Sequence, residues 1–271
     1  MNSKVCSCWM FVPANNPRFI ERAWTRGADA YLLDLEDSVP EAEKEKARRL
    51  VREIIPKVAK GGASVYLRVN KPYVEADLRA AVWPGIERVV LPKVESGEEL
   101  RRASDLLTEL EKERGIPVGS IEITPFIESA LGVANIYKIV TSTSRIRTMG
   151  GGTGYDMALD LEVEMFATSN PYAYPEAACA LAEMAVGIEA VGGVFVPNTS
   201  GRVDQGGATL AAALHGTYVH ETGVLHPALI EPLVHGLTPT ADEVGWARQV
   251  LDVWEELLQQ GEAMAVVDGK V

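Results

Sequence analysis

The sequence predicts an α/β protein: a closed TIM (β/α)8 barrel with a C-terminal helical extension. Short apolar segments alternate with amphipathic ones about eight times along the 271 residues, without a linker or a break in composition. This β-then-α repetition favours a parallel sheet, and a barrel of this type needs about 250 residues. An open dinucleotide-binding sheet usually carries a glycine fingerprint after its first strand, and residues 13–17 do not resemble one.

Eight strands are predicted where short apolar runs are bounded by proline, glycine or charged residues. These runs are residues 5–12, 30–35, 65–69, 88–92, 121–126, 146–149, 193–197 and 224–226. Pro17 suits the first position of a helix, and Ser38 is a good cap for the helix that follows it. The helices are predicted at residues 17–27, from 40 onward, and at 97–114, 131–140, 175–189, 208–220 and 240–260.

The chain is predicted to divide into a catalytic barrel, residues 1–236, and a C-terminal helix and tail, residues 237–271. The last helix places Val244, Val250, Leu251 and Trp254 on one face. An apolar face on a helix has to be buried against something. It is expected to pack either on its own barrel or on a neighbouring subunit.

Composition narrows the class of protein. The formal net charge of −12 argues against binding to nucleic acid or to an anionic membrane surface. A small anionic substrate remains compatible with it, because a few local arginines can dominate a cleft. We expect a cytoplasmic protein with reduced thiols, since the three cysteines are an odd number and neither a signal peptide nor a membrane span is recognisable.

Two acids follow predicted strands at positions where barrels keep their chemistry. Glu128 comes after the fifth strand and Asp156 after the sixth. Acids from neighbouring strand ends can converge on one hard cation, and Mg²⁺ uses one or two carboxylates and leaves room for substrate oxygens. The alternative for either residue is an ordinary loop carboxylate or a helix cap. The residues alone leave both interpretations open, a shared magnesium site and two separate carboxylates.

Charged side chains at the other strand ends are candidates for catalysis. Arg68 lies within an apolar strand and therefore needs a carboxylate partner, either from a substrate or from Glu36 or Asp37. Glu36 and Asp37, with Asp34, are expected to orient the arginine, Lys93 and metal-bound water. Lys93 itself is either catalytic or part of an internal ion pair.

A glycine-rich loop is the remaining candidate for binding. Gly152, Thr153 and Gly154 follow the sixth strand, where a backbone with small residues can approach a substrate closely and offer N–H groups to a carboxylate or phosphate. The four histidines are scattered and are expected to be ordinary core or surface residues.

Several short motifs follow one another across nearly the whole chain. The most specific is Asp34-Leu35-Glu36-Asp37-Ser38, and the other stretches are residues 11–18, 67–70, 91–95, 125–129 and 225–227. In type and order these motifs resemble the citrate lyase beta-subunit-like group of the HpcH/HpaI aldolase/citrate lyase family.

The resemblance implies a TIM barrel, usually trimeric or hexameric, with Mg²⁺ held by Glu128 and Asp156 and the carboxylate of an oxo acid held by Arg68. Family members cleave or form the carbon–carbon bond of a hydroxyacyl-CoA such as citryl-CoA or malyl-CoA, which gives a 2-oxo acid and an acyl-CoA. The implied partners are a small oxo acid and an acyl-CoA, with neither nucleic acid nor membrane.

The sequence departs from the family pattern at residues 152–156, 174–179 and 197–200, and it stops at Val271, where many relatives continue through an aspartate that enters a neighbouring site. Two alternatives to the CoA-ester lyase therefore stay open. One is an aldolase for free hydroxy-oxo acids without CoA, and the other is a non-catalytic barrel subunit of a lyase complex.

Overall fold

The barrel is confirmed by the computed structural model, which describes residues 6–164, 169–193, 219–261 and 267. Eight strands form one closed sheet in chain order, and every neighbouring pair is parallel, including the pair that joins the first strand to the last. The strands are β1 (Cys8–Pro13), β2 (Ala30–Asp34), β3 (Ser64–Arg68), β4 (Arg88–Leu91), β5 (Glu122–Ile127), β6 (Thr148–Gly151), β7 (Glu189–Gly193) and β8 (Val219–Val224).

Helices connect the strands and surround the sheet. They are α1 (Pro17–Ala23), α2 (Lys44–Val58), α3 (Val74–Ala81), α4 (Gly97–Arg114), α5 (Ala130–Ala134), α6 (Ile136–Val140), α7 (Tyr155–Asp160), α8 (Ala173–Val186), α9 (Ile230–Leu237) and α10 (Ala241–Gln260). Their starts follow local chemistry, because the side chains of Asn16 and Ser96 accept N–H bonds at the first turns of α1 and α4. Thr240 and Glu243 form a reciprocal capping box at the start of α10.

The last two strands differ from the prediction. β7 begins at Glu189, earlier than the predicted residues 193–197, because Gly187 takes a left-handed conformation (φ 70°) and ends α8. Residues 194–197 lie outside the described part of the chain. β8 ends at Val224, the first of the predicted residues 224–226, so Leu225 and His226 lie beyond its end. Charged and polar residues in both strands conceal them from an apolar pattern.

Several helix boundaries also differ. α1 ends at Ala23, before the predicted Gly27, and the predicted helix at 131–140 is two helices that meet at Asn135. α2 begins at Lys44, after a 3₁₀ turn at Glu41–Glu43. Of the predicted helix at 208–220, residues 208–218 lie outside the described residues, and residues 219–220 belong to β8. The short helices α3, α7 and α9 were not predicted.

The strands alternate between two apolar environments. Side chains such as Leu33, Leu67, Val89 and Ile123 face the helices and belong to one large core between the sheet and its surround. A smaller cluster is formed by residues of alternate positions, which are Trp9, Ala30, Leu32, Tyr66, Val90 and Val191, with Phe11 and Phe126 packed against it. The period of two along each strand separates these two sets.

Buried charges join strands near the start of β4. Arg88 Nη1 lies 2.6 Å from Glu221 Oε1 and 2.9 Å from Glu221 Oε2, and its Nε lies 3.2 Å from Glu122 Oε2. The guanidinium also stands 4.3 Å from the centre of the Tyr66 ring. Burial raises the pKa of Glu221 even though Arg88 opposes this effect. The pair therefore links β4 to β8, strands far apart in the sequence, through an ion pair that depends on both partners.

The C-terminal helix has a different environment from the others. No residue of α10 is buried among the described parts of the chain, and Val244, Leu251 and Leu258 of its apolar face are exposed. Among the described residues, no helix is both long and apolar enough to cross a membrane.

Replacing Arg88 with methionine tests the buried pair. Arg88→Met leaves the Glu221 carboxylate buried without its cation, which should lower the free energy of unfolding by about 3–5 kcal/mol. The measurement is chemical or thermal unfolding of both proteins. Arg101→Met is the control, because Arg101 pairs with Glu98 at the surface and such pairs contribute about 0–1 kcal/mol. Equal unfolding midpoints for the two variants would contradict this role of Arg88.

Candidate active site

A cavity of about 560 Å³ opens at the carboxyl ends of the strands. Polar and charged groups from β2, β3, β5 and the loop after β6 line one part of it, and apolar side chains from β1, β5, β7 and β8 line the rest. The lining residues are Trp9, Phe11, Asp34, Asp37, Ser38, Arg68, Phe126, Glu128, Gly151, Thr153, Gly154, Tyr155, Asp156, Val191, Gly192, Gly223 and Leu225.

Arg68 is held by a forked ion pair with Asp34. The two residues are register partners on β3 and β2, and Arg68 donates from Nε to Asp34 Oδ1 at 2.7 Å and from Nη2 to Asp34 Oδ2 at 2.8 Å. The partners expected from the sequence are present but secondary: Nη1 lies 3.0 Å from Glu36 Oε2 and 3.3 Å from Asp37 Oδ2. Asp34 thus takes one edge of the guanidinium, and Nη1 points away from that edge.

Asp34 accepts three further hydrogen bonds that keep it ionised. The Glu36 amide donates to Oδ1 at 3.0 Å, and the Ser38 amide and hydroxyl donate to Oδ2 at 3.1 and 2.5 Å. Burial alone would raise the pKa of this carboxyl, but Arg68 and these donors outweigh it and hold the pKa below its usual range. Asp34 therefore positions both Arg68 and the turn that carries Glu36 and Asp37.

Glu36 and Asp37 differ in their surroundings. Glu36 is buried, and desolvation raises its pKa, with Asp37 adding to the rise and Arg68 and Lys93 opposing it. Asp37 is exposed and lines the cavity. Lys44 holds the backbone around Glu36, because its Nζ donates to the carbonyl oxygens of Leu35 and Glu36 at 3.1 and 2.9 Å.

Lys93 sits between the acids of two strand ends. Its Nζ lies 3.1 Å from Glu36 Oε1 and 3.2 Å from Asp156 Oδ1. Burial would lower the pKa of the ammonium, but Glu36 and Asp156 outweigh that effect and raise it. Lys93 is also one of two non-glycine residues with a left-handed backbone in the described chain, with φ at 53°.

Glu128 and Asp156 line the same cavity, as the magnesium interpretation requires. Burial and the nearby charge of Glu36 raise the pKa of Glu128 to about 7, against the opposing effects of the Lys93 amide and Arg68. The chemistry of this pair fits Mg²⁺, which takes one or two carboxylates and keeps water on its other positions. The Lys93 ammonium lies beside Asp156 and already provides a positive charge there. No cluster of three or more His, Cys, Asp or Glu suited to a metal occurs in the described ranges, so the fit rests on these two acids.

The glycine-rich loop is shaped by close backbone contacts. A Cβ at Gly151 would lie 2.1 Å from the Ile127 carbonyl oxygen, and Gly151, Gly152 and Gly154 all have positive φ. The Gly152 amide donates to Ile127 O at 2.8 Å, whereas Thr153 and Gly154 line the cavity. Substrate contact at this loop is thus expected from Thr153 and Gly154.

Three aromatic residues in the cavity wall were not recognised from the sequence as part of the site. The Phe11 ring centre lies 4.8 Å from the Arg68 guanidinium carbon, and Trp9 lies close to Phe11 and Phe126, at 5.0 and 6.3 Å between ring centres. The period of two that places Trp9 and Phe11 on one face of β1 is a signal that could have identified them.

This chain is similar to several known proteins. The HpcH/HpaI aldolase/citrate lyase family model matches residues 7–217. The citrate lyase subunit beta of Leuconostoc mesenteroides subsp. cremoris is 31% identical across 100% of this chain and 89% of that protein. A (3S)-malyl-CoA thioesterase of Cereibacter sphaeroides is 28% identical across 97% of this chain and 87% of that protein. The structure of CitE from Mycobacterium tuberculosis, in complex with magnesium, acetoacetate and coenzyme A, is 21% identical with a TM-score of 0.71, covering 98% of this chain and 91% of that one, and supports the fold.

The forked pair predicts that lysine cannot replace Arg68. In Arg68→Lys an ammonium cannot serve both Asp34 oxygens in one plane, so the free energy of unfolding should fall by about 1.5–3 kcal/mol. Thermal or urea unfolding measures this change. Arg79→Lys is the matched control, since Arg79 also contacts two carboxylates, those of Glu75 and Glu109, but at the exposed surface. If both variants were as stable as the wild type, the fork would not stabilise the fold.

Proposed function

Because this chain belongs to the HpcH/HpaI aldolase/citrate lyase family, we propose that it is a Mg²⁺-dependent carbon–carbon lyase acting on a hydroxyacyl-CoA of the citryl-CoA or malyl-CoA type. The reaction gives a 2-oxo acid and an acyl-CoA, or joins them in reverse. The observation that carries the proposal is one cavity lined by an arginine and by two acids of the kind that hold Mg²⁺. These are Arg68, Glu128 and Asp156.

Arg68 is the residue that would bind the carboxylate of the oxo acid. Asp34 occupies its Nε edge, so the guanidinium is fixed in orientation before a substrate arrives. Its Nη1 lies 3.0 Å from the buried Glu36 and 3.3 Å from the exposed Asp37, and a substrate carboxylate can replace the Asp37 contact. A guanidinium donates to a carboxylate through two parallel N–H groups, which suits recognition of a planar anion. The Phe11 ring covers the guanidinium and limits its movement.

Glu128 and Asp156 are the residues that would hold Mg²⁺. When bound, the metal supplies a Lewis acid that polarises the oxo or hydroxyl oxygen of the substrate. Both acids come from rigid positions, Glu128 directly after β5 and Asp156 in the first turn of α7. The Lys93 amide donates to Glu128 Oε2 at 2.9 Å and orients that carboxylate.

Glu36, Asp37 and Lys93 complete the set around the reacting atoms. In the cleavage direction the bond between the carbinol carbon and the carbon next to the thioester breaks, the hydroxyl loses its proton, and the acyl fragment leaves as an enolate that is then protonated. Asp37 is the exposed carboxylate beside Arg68 that can accept the hydroxyl proton. Glu36 holds Arg68 and Lys93 in position from a buried site.

The apolar part of the cavity favours a thioester over a free acid. The apolar side chains in the described lining suit the uncharged acyl part of a thioester; they are those of Trp9, Phe126, Val191 and Leu225. Thr153 and Gly154 lie at the same opening as candidates for contact with the substrate. The free-acid aldolase remains the second candidate.

Purified protein with Mg²⁺ tests this proposal on citryl-CoA, malyl-CoA and short free hydroxy-oxo acids. We expect oxo acid from a thioester and none after chelation of the metal. Glu128→Gln and Asp156→Asn should each weaken Mg²⁺ binding, measured by calorimetry, by about tenfold or more, because each removes a charged ligand. Asp160→Asn is the control, since Asp160 lies one turn further along α7 and accepts from the Ala130 amide.

Three other outcomes would redirect the assignment. Cleavage of free hydroxy-oxo acids alone would favour the aldolase. Mg²⁺ binding without turnover of any compound would favour a non-catalytic barrel subunit. Unchanged Mg²⁺ affinity in either acid variant would remove that residue from the metal site.

We also infer a homo-oligomer, a trimer or hexamer, in which α10 packs on a neighbouring subunit. The apolar face of α10 is exposed within the described residues, and a face of this kind in water favours burial. A cytoplasmic location agrees with the free thiols of Cys6, Cys8 and Cys179.

Light scattering after size exclusion tests the oligomer. The wild type should elute as a trimer or hexamer, and Leu251→Glu should dissociate it because a charge on the apolar face opposes burial. Glu255→Ala is the control on the same helix. A monomeric wild type would contradict the inference.

A further inference from the structure

Lys93 contacts the acids of the candidate metal site in two ways at once. Its ammonium lies 3.2 Å from Asp156 Oδ1, while its backbone amide donates to Glu128 Oε2 at 2.9 Å. One residue therefore contacts both acids that would hold Mg²⁺. A lysine ammonium cannot coordinate a metal, so a cation at Asp156 and the Lys93 ammonium compete for the same carboxylate.

The backbone of Lys93 is held in a conformation that a lysine rarely adopts. Its φ of 53° lies in the left-handed region, which is unfavourable for a residue with a side chain. Glu128 Oε2 accepts a hydrogen bond from the Lys93 amide, and Lys71 Nζ donates to the Lys93 carbonyl oxygen at 2.5 Å. Contacts on both sides of the residue thus fix where the side chain starts.

Charge balance explains what the ammonium does there. Five carboxylates meet at this end of the barrel: Asp34, Glu36, Asp37, Glu128 and Asp156. The cations among them in the described chain are Arg68 and Lys93, and Arg68 pairs with Asp34, Glu36 and Asp37. Within the described chain, Lys93 is the cation found within ion-pair distance of Asp156.

We propose that Lys93 is a built-in counterion that neutralises Asp156 before the metal binds and gives up that carboxylate when Mg²⁺ takes it. The ammonium has a second place to go, because Glu36 Oε1 lies 3.1 Å and Asp37 Oδ1 4.0 Å from Nζ. Lys93 then pivots toward Glu36 and Asp37. This inference rests on the proposed metal site and adds a residue that sets its affinity.

The exchange has a thermodynamic consequence. Mg²⁺ affinity in the wild type is reduced by the interaction that Lys93 gives up, and removal of the ammonium should raise that affinity. A charge within about 4–6 Å changes the proton affinity of a carboxylate by roughly ten- to a thousandfold, and a divalent cation responds in the same direction. The coupling is reciprocal: bound Mg²⁺ weakens the ion pair between Lys93 and Asp156, and the metal-free protein depends on Lys93 to balance that carboxylate.

Calorimetric Mg²⁺ titration of the full chain tests the proposal with two variants. Lys93→Met removes the charge and keeps the side-chain bulk, and Lys93→Gly removes the charge and relieves the left-handed strain, so at least one folded variant is expected. Both should bind Mg²⁺ about tenfold or more tightly than the wild type. When the metal is chelated, both variants lack the positive charge that offsets the carboxylates at this end of the barrel. Added Mg²⁺ should therefore raise the unfolding temperature of each variant by more than it raises that of the wild type.

Lys112→Met is the matched control, because it changes the net charge equally from an exposed position in the last turn of α4. It should leave Mg²⁺ affinity unchanged. Equal or weaker Mg²⁺ binding in both Lys93 variants would overturn the counterion role while leaving the metal site in place. A wild type that does not bind Mg²⁺ would instead overturn the metal site, and the counterion role with it.

Discussion

The forked ion pair between Asp34 and Arg68 is the interaction on which the mouth of this barrel depends. It joins register partners on β2 and β3, both buried, and it satisfies one edge of the guanidinium and both oxygens of the carboxylate. A buried charge without a partner is strongly unfavourable, so each residue requires the other. Since Asp34 also accepts the amides of Glu36 and Ser38, the pair fixes the turn that presents Glu36 and Asp37.

Barrel closure imposes a second constraint on the same interior. Side chains of alternate residues from eight strands share one narrow space, so polar and apolar layers have to stack along its axis. Arg88 and Glu221 form a charged layer, and the aromatic side chains around Trp9 form an apolar one. The acids and Arg68 form the last layer at the carboxyl ends. The apolar layer isolates the two charged layers, and this separation leaves the open end for ligands.

Backbone geometry contributes as much to the site as side-chain chemistry does. Gly151 approaches the Ile127 backbone so closely that no Cβ fits, and this approach carries the chain from β6 toward Asp156. Lys93 holds a left-handed conformation between Glu128 and Lys71. Both features lie directly after strands, where the chain turns away from the sheet. The positions of Glu128 and Asp156 therefore depend on two unusual turns that flank them.

The amino-acid sequence by itself determined the barrel, six of its strands to within a few residues, and the meeting of Glu128 and Asp156 in one cavity. Apolar periodicity is a local property of the sequence. The common edge at which parallel strands end follows from the fold class, so it can be inferred once the strands are recognised. The tertiary structure decided which acid forms the forked ion pair with Arg68. Asp34, Glu36 and Asp37 are all carboxylates within four positions, and the β2–β3 register places Asp34 directly beside Arg68. It also decided the partners of Lys93 and the pairing of Arg88 with Glu221, which lie 133 positions apart. Such contacts follow from how strands close in space, and no local pattern records them.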